Sequence, residues 1–242
     1  LTTIAENSRN HLNQFAYDEL NSLCDAATKD TSGVYKDLVD IKLLTTIAEN
    51  TLHAIGCVYR SLNYLYAAAK EDDETGTYNR LVDIKLLTTM AESDHYTSFA
   101  YDELNSLCAA AKEDTSGVYK DLVDIELLMK IAENAKNQTS RAYNMLQRLC
   151  AAATRDITGT YKRLVDIELL TKIAENTRDV IVLAYTDLND LCAAVTKDPS
   201  GGYKDLVNAD QLIKIVEKVG SIQGVTIEEV QAFSAIAYNV LK

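Results

Sequence analysis

The sequence predicts an all-α protein: an α-solenoid of tandem ~42-residue helix–turn–helix repeats forming one elongated right-handed superhelix. Three observations carry this. Leu-Val-Asp-Ile begins at Leu38, Leu81, Leu122 and Leu164, and a drifted Leu-Val-Asn-Ala begins at Leu206, a period of 41 to 43 residues. A unit of that size cannot bury its own apolar face, so copies must stack into a continuous core. Apolar residues recur at helical spacing in every copy. One Pro and nine Gly are too few for a β-rich or loop-rich chain.

The repeat divides the chain into one helical-repeat domain, 1–242, with a partial first unit at 1–32. Units at 33–75, 76–116, 117–158 and 159–200 follow, and 201–242 reads as a divergent C-terminal cap. In the unit that opens at Gly159, Leu164, Ile167, Leu170, Ile173 and Ala174 place one helix, A, over about residues 161–176. Ala184, Tyr185, Leu188, Leu191, Cys192 and Val195 place a second, B. Turn chemistry links B to the next A: Asp30-Thr-Ser-Gly33, Glu74-Thr-Gly76, Asp114-Thr-Ser-Gly117, Ile157-Thr-Gly159 and Asp198-Pro-Ser-Gly-Gly202. The turns alternate in type, Ser-Gly-Val-Tyr at 32–35 and 116–119 against Thr-Gly-Thr-Tyr at 75–78 and 158–161.

A and B are separate helices because the spacing between them varies by single residues from unit to unit. A one-residue indel rotates a continuous helix by about 100°, and only a turn absorbs that. The last unit inserts residues 219–224 at this junction, followed by a capping box, Thr226 and Glu229, and a staple, Val225 and Val230. Two helices per repeat give about eleven to twelve helices of ~16–18 residues, each roughly 25 Å long.

These copies resemble the armadillo and HEAT class of helical repeats. Gly-Val-Tyr-Lys-Asp-Leu-Val-Asp-Ile-Lys-Leu-Leu at 33–44 is similar to their penultimate helix. Phe-Ala-Tyr-Asp-Glu-Leu-Asn-Ser-Leu-Cys at 15–24 is similar to the helix lining their groove. The short first helix of an armadillo repeat finds no room in this spacing. The resemblance implies protein or peptide recognition along a concave face.

Charge narrows the partners. A net charge of −12 opposes nucleic acid, whose affinity comes from neutralising phosphates, and opposes an anionic membrane surface. No apolar run approaches the ~18 residues needed to span a bilayer. Five cysteines are an odd number. Cys24, Cys108, Cys150 and Cys192 share one repeat position, with Tyr66 in their place in the second unit. Equivalent rungs lie roughly 10 Å apart, too far for a disulfide, so these read as small buried thiols in a reducing, cytoplasmic setting. Leu1 is not an initiator Met, which leaves room for a leader or further repeats.

Other recurrent residues form ladders. Tyr17, Tyr59, Tyr101, Tyr143 and Tyr185 are expected in the core of helix B. Tyr35, Tyr78, Tyr119, Tyr161 and Tyr203 open helix A; packing of the turn is the expectation, exposed partner anchors the alternative. His11, His53 and His95 share a position just before helix B and read as polar helix-start residues rather than metal ligands or a pH-sensitive seam. Asp40, Asp83, Asp124 and Asp166, with Glu49, Glu92, Glu133 and Glu175, repeat without a distinguished pair or nucleophile, so no catalytic residue is assigned. No cofactor or metal site is expected.

Variation inside a constant framework is the remaining pointer. On helix B one series reads Asp18, Arg60, Asp102, Asn144, Thr186 and a second Ser22, Tyr64, Ser106, Arg148, Asp190, i and i+4 on one face. The sequence therefore predicts a non-enzymatic scaffold that binds a protein or peptide with a basic face along helix B. The candidate partner-binding residues are Arg60, Tyr64, Asp102, Arg148 and Asp190. The alternative is a structural protein that assembles end to end with further copies of itself.

Overall fold

Each repeat is built from two aspartate caps and a tyrosine, and three helical segments follow from them. A computed structural model describes residues 12–51, 54–72, 75–94, 96–177, 180–198 and 208–220. The chain forms two compact units, Leu1–Glu113 and Asp114–Lys242. The first contains α1 (Leu12–Lys29), α2 (Val34–Leu38), α3 (Ile41–Asn50), α4 (Ile55–Lys70), α5 (Thr77–Leu81), α6 (Ile84–Ser93) and α7 (Thr97–Glu113). The second contains α8 (Val118–Leu122), α9 (Ile125–Asn134), α10 (Thr139–Arg155), α11 (Thr160–Leu164), α12 (Ile167–Asn176), α13 (Ile181–Lys197) and α14 (Ala209–Gly220), with a 3-10 turn at Lys136–Gln138. Among the described residues there is no strand.

The first cap starts the short helix. The carboxylates of Asp30, Asp72, Asp114 and Asp156 accept the backbone N–H of Tyr35, Tyr78, Tyr119 and Tyr161 at 2.8–3.0 Å. Gly33, Gly76, Gly117 and Gly159 stand between, with φ of 62° to 89°, the left-handed region that glycine enters at no steric cost. The second cap starts the middle helix. Val39, Val82, Val123 and Val165 are extended, and Asp40, Asp83, Asp124 and Asp166 then accept the N–H of Leu43, Leu86, Leu127 and Leu169 at 2.7–2.8 Å. These are N-cap bonds that satisfy otherwise orphaned donors.

The expected single helix A over 161–176 is therefore two helices, α11 and α12, and the repeat has three segments rather than two. An extended valine cannot continue a helix, and the following aspartate restarts one. The five-residue helix occupies the place for which the spacing left no room. The turn expected between A and B is present in each described repeat. At 136 it includes a non-glycine residue of positive φ, Lys136 at 46°. The 221–242 segment, including Thr226 and Glu229, and the His11, His53 and His95 ladder lie outside the described residues.

Within each unit, like packs on like. In the first, α3 lies against α6, and α4 lies between α1 and α7. In the second, α9 lies against α12, α12 against α14, and α10 against α13. Each short helix packs on the long helix of its own repeat. Lys70 reaches back to Asp30 (3.7 Å) and Lys112 to Asp72 (3.6 Å), so the turn carboxylates also tie one repeat to the next in the first unit. In the second, Lys130 pairs with Glu175 across repeats at 3.7 Å.

Tyrosines seat the long helices. Tyr59, Tyr101, Tyr143 and Tyr185 are fully buried, and their hydroxyls donate to the carbonyls of Leu44, Leu87, Leu128 and Leu170 at 2.8–3.2 Å, whereas Tyr17, expected in the core with them, is only half-buried. The short-helix tyrosines Tyr35, Tyr78, Tyr119 and Tyr161 are buried too, which settles them as turn packing rather than exposed anchors. Tyr203 lies outside the described residues. Cys108, Cys150 and Cys192 are buried as expected, but Cys24 is exposed. Tyr78, Tyr119 and Tyr161 lie beside the three buried thiols. In the repeat at 33–75 Tyr66 takes the cysteine's place and meets the Tyr35 ring edge-on, centroids 5.2 Å apart.

Candidate functional site

The outward face of the long helices is set by what points inward. With the tyrosine hydroxyl fixed to a middle-helix carbonyl and the leucines buried, the next residue and the one four further on are turned to solvent. In the first unit this exposes Asp18 and Ser22 on α1, Arg60 and Tyr64 on α4, and Asp102 and Ser106 on α7. In the second it exposes Arg148 on α10 and Asp190 on α13, with Asn144 and Thr186 half-buried. Each candidate thus stands on the predicted face: Arg60, Tyr64 and Asp102 in one unit, Arg148 and Asp190 in the other. Tyr64 is 59% exposed, an unusual position for a tyrosine without a partner.

Contacts on this face are few and local. The Arg60 guanidinium lies over the Phe15 ring, 5.5 Å from its centroid. Gly56 makes room for that ring, since a side chain there would come within 2.7 Å of Phe15 Cε1 and 3.3 Å of Ala16 Cα. Arg148 Nη1 is 3.9 Å from Met145 Sδ. Asp18 accepts from Gln14 Nε2 at 2.8 Å. An open depression runs along α1, lined by Asp18, Asn21, Ser22, Asp25, Ala26 and Lys29.

A second ladder, not singled out from the sequence, runs beside the candidates. Asn63, Asn105, Gln147 and Asn189 stand four residues after the buried tyrosine of each long helix. Short-helix tyrosines hold them: the Tyr35, Tyr78 and Tyr161 hydroxyls donate to the Oδ1 of Asn63, Asn105 and Asn189 at 3.2, 2.8 and 3.0 Å. Tyr119 donates instead to the Gln147 carbonyl at 3.3 Å. With Oδ1 engaged, the amide is oriented and its Nδ2 is directed elsewhere; that of Asn63 reaches Ser22 Oγ at 3.4 Å. Recurrence at this position was the available signal. Of the exposed aromatics, Phe99 (61%) repeats the register position of Phe15, whereas Tyr96 (59%) does not recur and gave no signal.

Burial holds three thiols and several tyrosine hydroxyls in their protonated forms. Burial pushes the thiols of Cys108 and Cys150 well up and that of Cys192 to about 12. Burial likewise raises the hydroxyls of Tyr59, Tyr119 and Tyr161 to about 12. All stay protonated at neutral pH. Asp40, Asp83, Asp124 and Asp166, read from the sequence as an acidic ladder, are committed to helix capping. Among the described residues, no group of three or more His, Cys, Asp or Glu is placed to hold a metal ion. No described helix is long and apolar enough to cross a membrane. Comparison with protein-family models, with curated proteins and with solved structures finds no match, so the armadillo and HEAT resemblance rests on the repeat pattern alone.

Proposed function

We propose that the chain is a non-enzymatic helical-repeat scaffold of the α-solenoid kind that binds a protein or peptide along the outward face of its long helices. The observation that carries this reading is the set of tyrosine-held amides, Asn63, Asn105 and Asn189, running beside exposed residues that differ from repeat to repeat. Amides oriented in this way suit the backbone of an incoming chain, which repeats its own donors and acceptors. Differing neighbours, Arg60, Tyr64 and Asp102 in one unit and Arg148 and Asp190 in the other, suit side-chain discrimination. The surplus of acidic residues favours a partner with a basic face.

The test is selection of binders from a displayed peptide library, followed by Arg60→Ala, Tyr64→Ala, Arg148→Ala and Asp190→Ala together. The expected outcome is loss of the selected peptides with circular dichroism unchanged. Retained binding would remove these residues from the interface. A molar mass that climbs with concentration in light scattering would favour assembly between copies instead.

A further inference from the structure

Resting on that reading, we infer that the first unit selects an extended peptide bearing basic, acidic and basic side chains three residues apart. Asp18, Arg60 and Asp102 occupy one register position on α1, α4 and α7, and all three are exposed. Because α4 packs between α1 and α7, they form a lane of charge ordered negative, positive, negative. Among the described residues none of the three is in an ion pair. Asp18 accepts only from Gln14, Arg60 rests on Phe15, and Asp102 lends its backbone carbonyl to Ser106. Asp25, further along α1, already pairs with Lys29 at 4.0 Å.

Helices in contact lie about 8–10 Å apart, and an extended polyproline II chain advances about 3.1 Å per residue with three residues per turn. Successive rungs are thus spaced as every third residue of such a chain laid across them, and those residues share one face of it. A complementary peptide carries Lys or Arg, then Glu or Asp, then Lys or Arg, at that interval. The order is a palindrome, so charge alone does not set the peptide's direction. The surroundings supply what a side chain between the charges would meet. Phe15 and Phe99 stand one helical turn before Asp18 and Asp102, and Tyr64 one turn after Arg60, with the phenyl of Phe99 and the ring of Tyr64 largely exposed. Apolar residues at the intervening positions would cover them. In the second unit the same register holds Asn144 and Thr186, so the selectivity belongs to the first.

Three fluorescein-labelled peptides test this by anisotropy against the full chain: Lys-Leu-Thr-Glu-Leu-Thr-Lys, its charge-inverted form Glu-Leu-Thr-Lys-Leu-Thr-Glu, and the scramble Lys-Lys-Glu-Leu-Leu-Thr-Thr. The scramble has the matched peptide's net charge, so it controls for attraction to an acidic protein. The matched peptide is expected to bind about tenfold more tightly than either, the middle of the range that three exposed pairs supply. The variant Asp18→Lys, Arg60→Glu, Asp102→Lys stays strongly acidic overall, yet should prefer the inverted peptide. Equal binding of matched and scrambled peptides, or an unchanged preference in the variant, overturns the register. If library-selected peptides still depend on Tyr64 and Arg148, that failure leaves the broader reading standing. If no peptide binds at all, both fall.

Discussion

Asp114 shows how much of this fold depends on charged carboxylates. It accepts from Ser116 N–H at 2.8 Å, Ser116 hydroxyl at 2.5 Å and Tyr119 N–H at 2.9 Å. Burial alone would raise its pKa; the hydroxyl and amide donors outweigh that and lower it. Asp72 and Asp156 are lowered against the same opposing burial, and Asp30, held mainly by the Ser32 hydroxyl, falls from 3.8 to about 2. A group whose folded pKa lies below its unfolded one contributes fully above the unfolded value and ceases to contribute as pH falls through the folded one. Thermal stability should therefore be flat from neutrality to about pH 5 and fall between about pH 4 and pH 2. Asp114→Asn should flatten that fall, and an unchanged melting profile with pH would contradict the assignment. Three residues on, Gly117 has φ of 82° and open space around its α-carbon. Gly117→Ala should cost about 1 kcal/mol through conformation alone, read as a lower urea midpoint, with Gly117→Asn milder.

At the scale of the element, the pair α11 and α12 separates what periodicity reveals from what it hides. The apolar positions Leu164, Ile167, Leu170 and Ile173 keep helical spacing through the break, so a helix over 161–176 follows from pattern alone. The break resides in Val165, extended at φ −122° and ψ 120°, and in the Asp166 carboxylate at 2.8 Å from Leu169 N. The third helical position is Leu169 rather than Glu or Gln, so no capping box marks the start. The aspartate was legible only as an acid, though its recurrence at 40, 83, 124 and 166 is the signature of a cap in every repeat. Asp166→Ala should lower stability by about 1 kcal/mol, within the usual range of about 0.5–2 for an N-cap. Asp166→Asn should restore most of it, since an amide oxygen also accepts. If alanine and asparagine cost the same in chemical denaturation, the carboxylate acts through its charge and not as a cap. The tyrosine ladders read more fully from sequence, because a residue that recurs beside apolar positions in every long helix has nowhere to go but inward. The amide ladder did not, because an asparagine four residues from a tyrosine shows its value only when another helix's hydroxyl arrives.

At the scale of the molecule, repetition makes stability local. Within each unit the long helices pack on the long helices of neighbouring repeats, so a lost contact should be felt over that range rather than throughout. The period and the helical class were legible in the sequence because they are properties of spacing. The division at Glu113 and Asp114 was not, because the turn there has the same Asp-Thr-Ser-Gly chemistry as the one at Asp30, and no composition shift marks it. Each unit has its own fully buried leucines, Leu62, Leu65 and Leu104 in the first and Leu146, Leu149 and Leu169 in the second. Leu146→Ala removes a fully buried side chain of α10, a change of about 2–5 kcal/mol when the cavity does not collapse. Hydrogen exchange read by mass spectrometry should then show faster exchange in α10 and in its neighbours α8 and α13. Exchange in α3, α4 and α6 should keep its wild-type rates. Uniform acceleration across all helices would mean that the two units unfold as one cooperative body. Acceleration confined to the second would mean that the two units unfold independently, so that the face proposed for peptide binding on the first can be altered without disturbing the second.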